Sequence, residues 1–368
     1  MSVGFIYSEN LIRELDKNVK IEGRSEMVFS LIKSYGLFEN KNLKLINPVK
    51  SDDKHLKLFH SQEYIDYLKT CQIEYVESED DFGIGYDCPY IEKIHDYVST
   101  VAGASLTAAH LINQDMFKYV INWNGGWHHA KRDKASGFCY VNDVVLCIMK
   151  LRQKFSRILY IDLDQHHGDG VQEAFEFTNK VLTLSFHKYM PGFFPGTGSL
   201  EDIGKGIGKF YSVNVPLKTG IGDKNYVLMF SSIFSKIISV YKPETLVVQC
   251  GADSLTGDPI DISNPFNLTL EGYTKCIEMV IHTQLPTVFL GGGGYHLANS
   301  SRLWCHLTAL IMAEKLKNDI PEHEMFLRYA PDYELCIEAG KVRDKNSLEY
   351  LDKTLNTILN NLNNIKID

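Results

Sequence analysis

Short apolar runs rich in β-branched residues recur along this chain and alternate with stretches of helical period. The runs are YVINW (119–123), RILYIDLD (157–164), VLTLSF (181–186), TLVVQCGAD (245–253) and PTVFLGG (286–292). Helical periodicity is visible over 27–35, in the Ala-rich 98–112, over 143–152 and over 224–241. Val3–Tyr7 reads as a first strand running into a helix. Strands apolar on both faces and separated by helices predict an α/β fold, a parallel sheet covered by helices on either side. No repeat, low-complexity tract or Pro/Ser-rich linker breaks the pattern, so one domain over 1–368 is the simplest division.

Each run exits into polar residues and glycine. NGGWHHAKRD follows the first, DLDQHHGDG the second and FHKYMPGFFPGTG the third; GADS and GGGGYH follow the last two. Ligands of open α/β sheets bind beyond the carboxyl ends of the strands. Five exits carrying His, Asp, Tyr and Gly therefore predict one shared pocket.

Composition narrows the class. With 44% hydrophobic and 23% charged residues the chain is globular. It has no apolar run long enough for a membrane span, and its N-terminus lacks the basic start and apolar core of a secretory signal. Its 8 cysteines form no CxxC pair, which in a chain of this length suits reduced intracellular thiols. A net charge of −8 disfavours direct binding to nucleic acid and tolerates a cationic substrate.

In an extended chain Asp162, Asp164 and His166 share one face, while Gln165 and His167 point away. Asp164 and His166, joined by Asp253 from another exit, make an open Asp/His/Asp metal site. Oxygen and imidazole donors without thiolate suit Zn²⁺ or Fe²⁺. A single Asp after a strand is more simply a helix cap; DxDxHHxD as a unit favours the metal. His128 and His129 come from a different exit, with Asp162 and Asp169 as spare carboxylates to orient them. An acid/base beside a metal and water is the minimum for hydrolysing an amide or ester. Four glycines before Tyr295 let the backbone approach a ligand and present a phenol donor; they lack the spacing of a phosphate loop.

Together, NWNGGWHHAKRDKASGFCYVND, YIDLDQHHGDGVQEAF, HKYMPGFFPGTG, QCGADSLTGDP and LGGGGY resemble the class I histone deacetylases, over nearly the whole chain. The resemblance implies the arginase/deacetylase-like three-layer fold with a central eight-stranded parallel sheet, and hydrolysis of Nε-acetyl-lysine to lysine and acetate. By motif matching, Asp164, His166 and Asp253 resemble the Zn²⁺ ligands. His129 resembles the general acid/base, partnered by Asp169, and His128 its companion, partnered by Asp162. Tyr295 resembles the donor to the oxyanion. Phe138 and Phe194 resemble the walls of a lysine tunnel, Gly137 a backbone acceptor within it, and Asp87 the rim carboxylate that holds substrate N–H groups. Arg24 resembles the arginine of an acetate-release channel. The acidic run 74–81 is a candidate for attracting basic peptide flanks, although a solvated loop explains it more simply.

The resemblance also implies two K⁺ sites. The inner one would use Asp162, Asp164, His166, Ser185 and Phe186, and the outer one the carbonyls of Phe175, Thr178, Val181 and Tyr211. It further implies acetylated protein substrates such as histone tails or cohesin subunits, inhibition by hydroxamates, activity of the chain alone, and residence in nucleus or cytoplasm. Three positions depart from the family pattern: Gln165 between the metal residues, Ile260 on the tunnel wall in place of Met, and His296 after Tyr295. The loop 260–270 is insertion-like. The competing readings are an acetylpolyamine amidohydrolase, an arginase-type ureohydrolase, which needs more metal carboxylates than HHGDG supplies, and an inactive scaffold, which needs a broken site.

Overall fold

The computed structural model describes residues 2–72, 81–85, 87–261 and 265–366. Most of the acidic run 74–81 and part of the loop 260–270 lie outside them. The strands are β1 (Val3–Ile6), β2 (Leu43–Ile46), β3 (Tyr119–Asn122), β4 (Ile158–Asp162), β5 (Val181–Lys188), β6 (Ser212–Leu217), β7 (Thr245–Gln249) and β8 (Thr287–Leu290). They form one all-parallel sheet in the order β2-β1-β3-β8-β7-β4-β5-β6.

Side-chain alternation divides the core in two. Leu159 and Ile161 of β4 and Leu246 and Val248 of β7 join the apolar cluster on one face. Ile158, Tyr160 and Val247 join the cluster on the other. All are essentially inaccessible, and burying an aliphatic side chain of this kind contributes about 1.5–3 kcal/mol. Helices Arg24–Ser34, Asp223–Tyr241, Leu270–His282, Leu297–Ile311 and Leu348–Leu362 cover the first face; Glu9–Leu15, Gln62–Thr70, Ile94–Asn113 and Asp143–Leu151 cover the second.

The five exits singled out by pattern belong to five neighbouring strands, β3, β8, β7, β4 and β5. Registers level their carboxyl ends: Asp162 pairs with Ser185 and Gln249, Gln249 with Leu290, and Leu290 with Asn122. After β3 the chain passes to β4, leaving a gap that β7 and β8 later fill, and the exits face this switch in strand order.

Two strands are absent from the apolar pattern. β2 and β6 are the sheet's edges; β2 is largely exposed, and β6 carries Asn214 and Pro216, the latter tolerated at an edge. The extended-face argument also needs correction, because β4 ends at Asp162 rather than Asp164 and β7 at Gln249 rather than Asp253. Beyond Asp162 the amides turn to carboxylates: Asp164 N–H donates to Asp162 Oδ1, Gln165 N–H to Asp253 Oδ1 and His166 N–H to Asp164 Oδ1. Amides committed in this way cannot continue the ladder, so the chain bends around the acidic groups.

Candidate active site

Asp164 and His166 from the β4 exit meet Asp253 from the β7 exit at the floor of the site. One ligand atom from each lies within 4.8 Å of the others, and all three residues are buried. His166 Nδ1 stands 2.9 Å from Asp253 Oδ2 and 3.2 Å from Asp164 Oδ1. The remaining lone pairs are braced. Gln249 Nε2 and Gly293 N–H donate to Asp164 Oδ2 at 2.8 and 2.9 Å. Gly293 must be glycine for reasons of space: a Cβ there would lie 2.3 Å from Asp253 Oδ2 and 2.9 Å from Asp164 Oδ2.

This donor set fits a cation. Burial and the adjacent Asp164 push the Asp253 carboxyl well above the ordinary carboxylate range. Burial opposes a charge on His166, but the two carboxylates outweigh it and raise the imidazole to about 10. Protons on these groups offset a buried excess of negative charge, and a divalent ion would displace them.

The β3 exit supplies His128 and His129. Asp143 anchors their loop by accepting from Gly126 and Trp127 N–H and from Ser105 Oγ–H. Asn142, the N-cap of helix Asp143–Leu151, donates through its side chain to the His128 and Ala130 carbonyls. His128 Nδ1 lies 2.8 Å from Asp162 Oδ2, which also accepts from the Tyr160 hydroxyl. His129 Nδ1 lies 2.7 Å from Asp169 Oδ1. The two Nε2 atoms face each other at 2.9 Å. Burial depresses both imidazoles, but Asp162 and Asp164 reverse this for His128 and hold it at about 9. For His129 the neighbouring His128 adds to burial, and the ring falls to about 4. The two rings are thus set apart by their surroundings, His128 facing the carboxylates and His129 facing His128.

Tyr295 follows the glycines at the β8 exit. Asp258 Oδ2 accepts from the Tyr295 and His296 N–H groups at 2.7 and 3.1 Å, and its Oδ1 accepts from Ile260 N–H. Arg24, only 2% exposed, donates to the carbonyls of Gly292 and Gly294 and lies over the Trp304 ring at 4.9 Å. Burial and the charges of Asp253 and Asp164 raise the Tyr295 phenol well above its ordinary value, so it is a proton-bearing donor.

Residues 19–311 match the histone deacetylase domain family. The chain is 44% identical to histone deacetylase 8 of Danio rerio, over 99% of this chain and 96% of that one. It is 45% identical to histone deacetylase 8 of Xenopus tropicalis, over 98% of each. Identity to histone deacetylase 1 of Homo sapiens is 40%, over 92% of this chain and 70% of the relative. The chain belongs to the histone deacetylase family. Members of that family are metal-dependent hydrolases of acetyl-lysine, and the eight-stranded parallel sheet agrees with their fold.

Other residues singled out in this histone deacetylase chain fall around the same centre. Phe194, 40% exposed, sets its ring edge-on to His129 at 4.9 Å. Phe138 is edge-on to Tyr295 at 5.6 Å. Gly137, with φ at 54°, donates its N–H to Asp87 Oδ2 at 2.7 Å, and a Cβ would strike the His129 ring; its carbonyl accepts from Cys139 Sγ. Asp87 therefore braces the Gly137 loop with one oxygen. Ile260 is half-buried beside Asp258. Gln165 turns its side chain to Phe266 N–H, and His296 caps helix Leu297–Ile311.

Of the positions matched to K⁺ sites, Ser185 Oγ pairs with His187 Nδ1, and the Phe186 side chain packs in the core against Tyr226 and Phe230. The Phe175 carbonyl accepts from Thr178 N–H. Val181 opens β5, and the Tyr211 carbonyl accepts from Thr183 N–H.

Pattern reasoning missed Asp258, Asn142, Gln249 and Phe193. The Phe193 ring stacks on His166 with centroids 5.1 Å apart and planes 9° from parallel. A doubled Phe in PGFFPG was the available signal for the last; the polar residues carry none beyond their identity.

Proposed function

We propose that this chain is a zinc-dependent protein lysine deacetylase, one catalytic domain over 1–368, that hydrolyses Nε-acetyl-lysine on histone tails or other acetylated proteins such as cohesin subunits, in the nucleus or cytoplasm. Carrying this reading is the meeting of the Asp164/His166/Asp253 cluster with a histidine pair, each ring held at Nδ1 by its own carboxylate. The two carboxylates and imidazole, free of thiolate, suit Zn²⁺, with Fe²⁺ the other ion such a set accepts. A divalent ion held there supplies Lewis acidity to the acetyl carbonyl and to water.

The side chains divide the remaining work. His129, its Nδ1–H on Asp169, takes the proton of the attacking water at Nε2. His128, held by Asp162, stands beside it as the second proton-carrying group of the pair. The Tyr295 hydroxyl donates to the acetyl oxygen as negative charge develops there. Phe138 and Phe194 flank the lysine methylenes, Gly137 offers its carbonyl, and the second oxygen of Asp87 meets substrate N–H groups at the rim. Ile260 shapes the tunnel wall, and Arg24 fixes the glycine loop beside the route of acetate release. If K⁺ binds, Asp162, Asp164, His166, Ser185 and Phe186 would hold it at an inner site, and Phe175, Thr178, Val181 and Tyr211 at an outer one. A hydroxamate would be expected to bind at a metal held by Asp164, His166 and Asp253.

A turnover panel on purified, metal-defined protein tests this reading. Acetyl-lysine peptides should be hydrolysed much faster than acetylspermidine. Preference for the polyamine would shift the assignment to a polyamine amidohydrolase, and inactivity on every acyl-lysine would refute the enzyme.

A further inference from the structure

Asp169 has two carboxylate oxygens, and the reaction as described uses only one. Oδ1 lies 2.7 Å from His129 Nδ1, and Oδ2 lies 2.7 Å from the Nζ of Lys131. Lys131 also reaches Glu173 Oε2 at 3.0 Å. The lysine side chain is 17% exposed and that of Asp169 8%, whereas Glu173 is 62% exposed. The inner contact is thus a shielded, charge-assisted bond, and the outer one is a solvent-screened surface pair.

The setting makes this pair more than an anchor. Lys131 stands two residues beyond His129 on the same loop, and Asp169 opens helix Asp169–Phe175. Behind them is a surface groove of about 580 Å³ lined by Lys131, Asp169, Glu173, Glu176 and Asp202. A carboxylate at the edge of a wet groove has two alternatives to its histidine: it can swing toward water, or it can accept the Nδ1 proton. A cation on the outer oxygen opposes both.

We propose that Lys131 is a positioning residue of the deacetylase: its ammonium clamps Asp169 Oδ2, so that Oδ1 stays on His129 Nδ1 and the proton stays on that nitrogen, leaving Nε2 the basic atom. This rests on the deacetylase reading for its kinetic consequence but not for its geometry. The Asp169 carboxyl is held well below its usual range by His129 and Lys131 against the effect of burial, as the clamp requires.

Kinetics and a spectroscopic signature test it together, on the full chain with its metal restored. Lys131→Met should lower kcat about tenfold or more with KM within twofold, and Lys131→Arg, which keeps a charged donor, should recover most of the loss. Glu173→Gln should leave both constants within twofold. In nitrogen-15-labelled protein, the His129 Nδ1–H resonance, assigned by its loss in His129→Ala, should move upfield or broaden in Lys131→Met and return in Lys131→Arg. Should the Met variant fold poorly, Lys131→Gln is judged by the same criteria. A lysine that only ties loop to helix would lower the melting temperature and leave kcat and the resonance unchanged, and that result overturns the proposal; so does an Arg variant no better than Met. Failure of the wild-type chain to turn over acetyl-lysine would count against the deacetylase reading alone, because the resonance reports on the clamp without turnover.

Discussion

Tyr295 sets its ring edge-to-face with Phe138 and its backbone N–H on Asp258. No hydrogen bond of its hydroxyl is found among the described residues, so removing that oxygen disturbs little of the fold. Tyr295→Phe should therefore keep the melting temperature and metal content of the wild type and lose roughly a hundredfold or more in kcat, the cost of one oxyanion donor. Steady-state kinetics beside metal analysis checks this, and near-normal turnover would remove Tyr295 from the reaction. Side chains of this kind were legible before any fold because they come in improbable groups, such as HHA after GGW or DxDxHH after an apolar run. Asp258 and Lys131 were not: a lone Asp or Lys in a loop gains meaning only when another segment delivers the amide or carboxylate it meets.

Among the elements, helix Asp143–Leu151 shows how one cap serves two purposes. Asn142 Oδ1 accepts from Val145 N–H, and its Nδ2 reaches the carbonyls of His128 and Ala130. Asn142→Ala should cost about 1 kcal/mol for the cap and about 1–3 kcal/mol more for the stranded buried carbonyls. Urea unfolding should register the loss, with kcat falling too as the histidine loop loosens; unchanged stability would show that the cap is dispensable. Elements were legible where both faces are buried, as in β3, β4, β5, β7 and β8. The edge strands β2 and β6 were not, since one side of each meets no further strand and their sequences lack the continuous apolar signal. The ends of β4 and β7 were overrun for a related reason: polar residues after a strand look extended until their amides find carboxylates instead of a neighbouring strand.

For the molecule as a whole, pH acts through histidines kept neutral by burial. His60 accepts from Asn142 N–H at Nε2 and holds the Arg132 carbonyl with Nδ1; burial lowers it from 6.5 to about 4. Because the folded value is depressed, the unfolded chain takes up the proton first. The contribution of His60 is intact above pH 6.5 and is lost progressively toward pH 4, at about 1.4 kcal/mol per unit. Between pH 7.5 and pH 5, His60→Gln should accordingly lose about 2 kcal/mol less stability than the wild type in urea titrations. Equal losses would mean that His60 titrates normally in the folded chain.

In the proposed deacetylase, Asp164, His166 and Asp253 hold one divalent ion without which acetyl-lysine is not hydrolysed. Metal content and turnover measured on the same samples, for the wild type, its chelated form and Asp253→Ala, test it most directly. The expected result is one ion per active chain, activity lost on chelation and restored by Zn²⁺, and neither full metal content nor turnover in Asp253→Ala. Undiminished turnover by the metal-free protein, or a fully loaded and active Asp253→Ala, would contradict it.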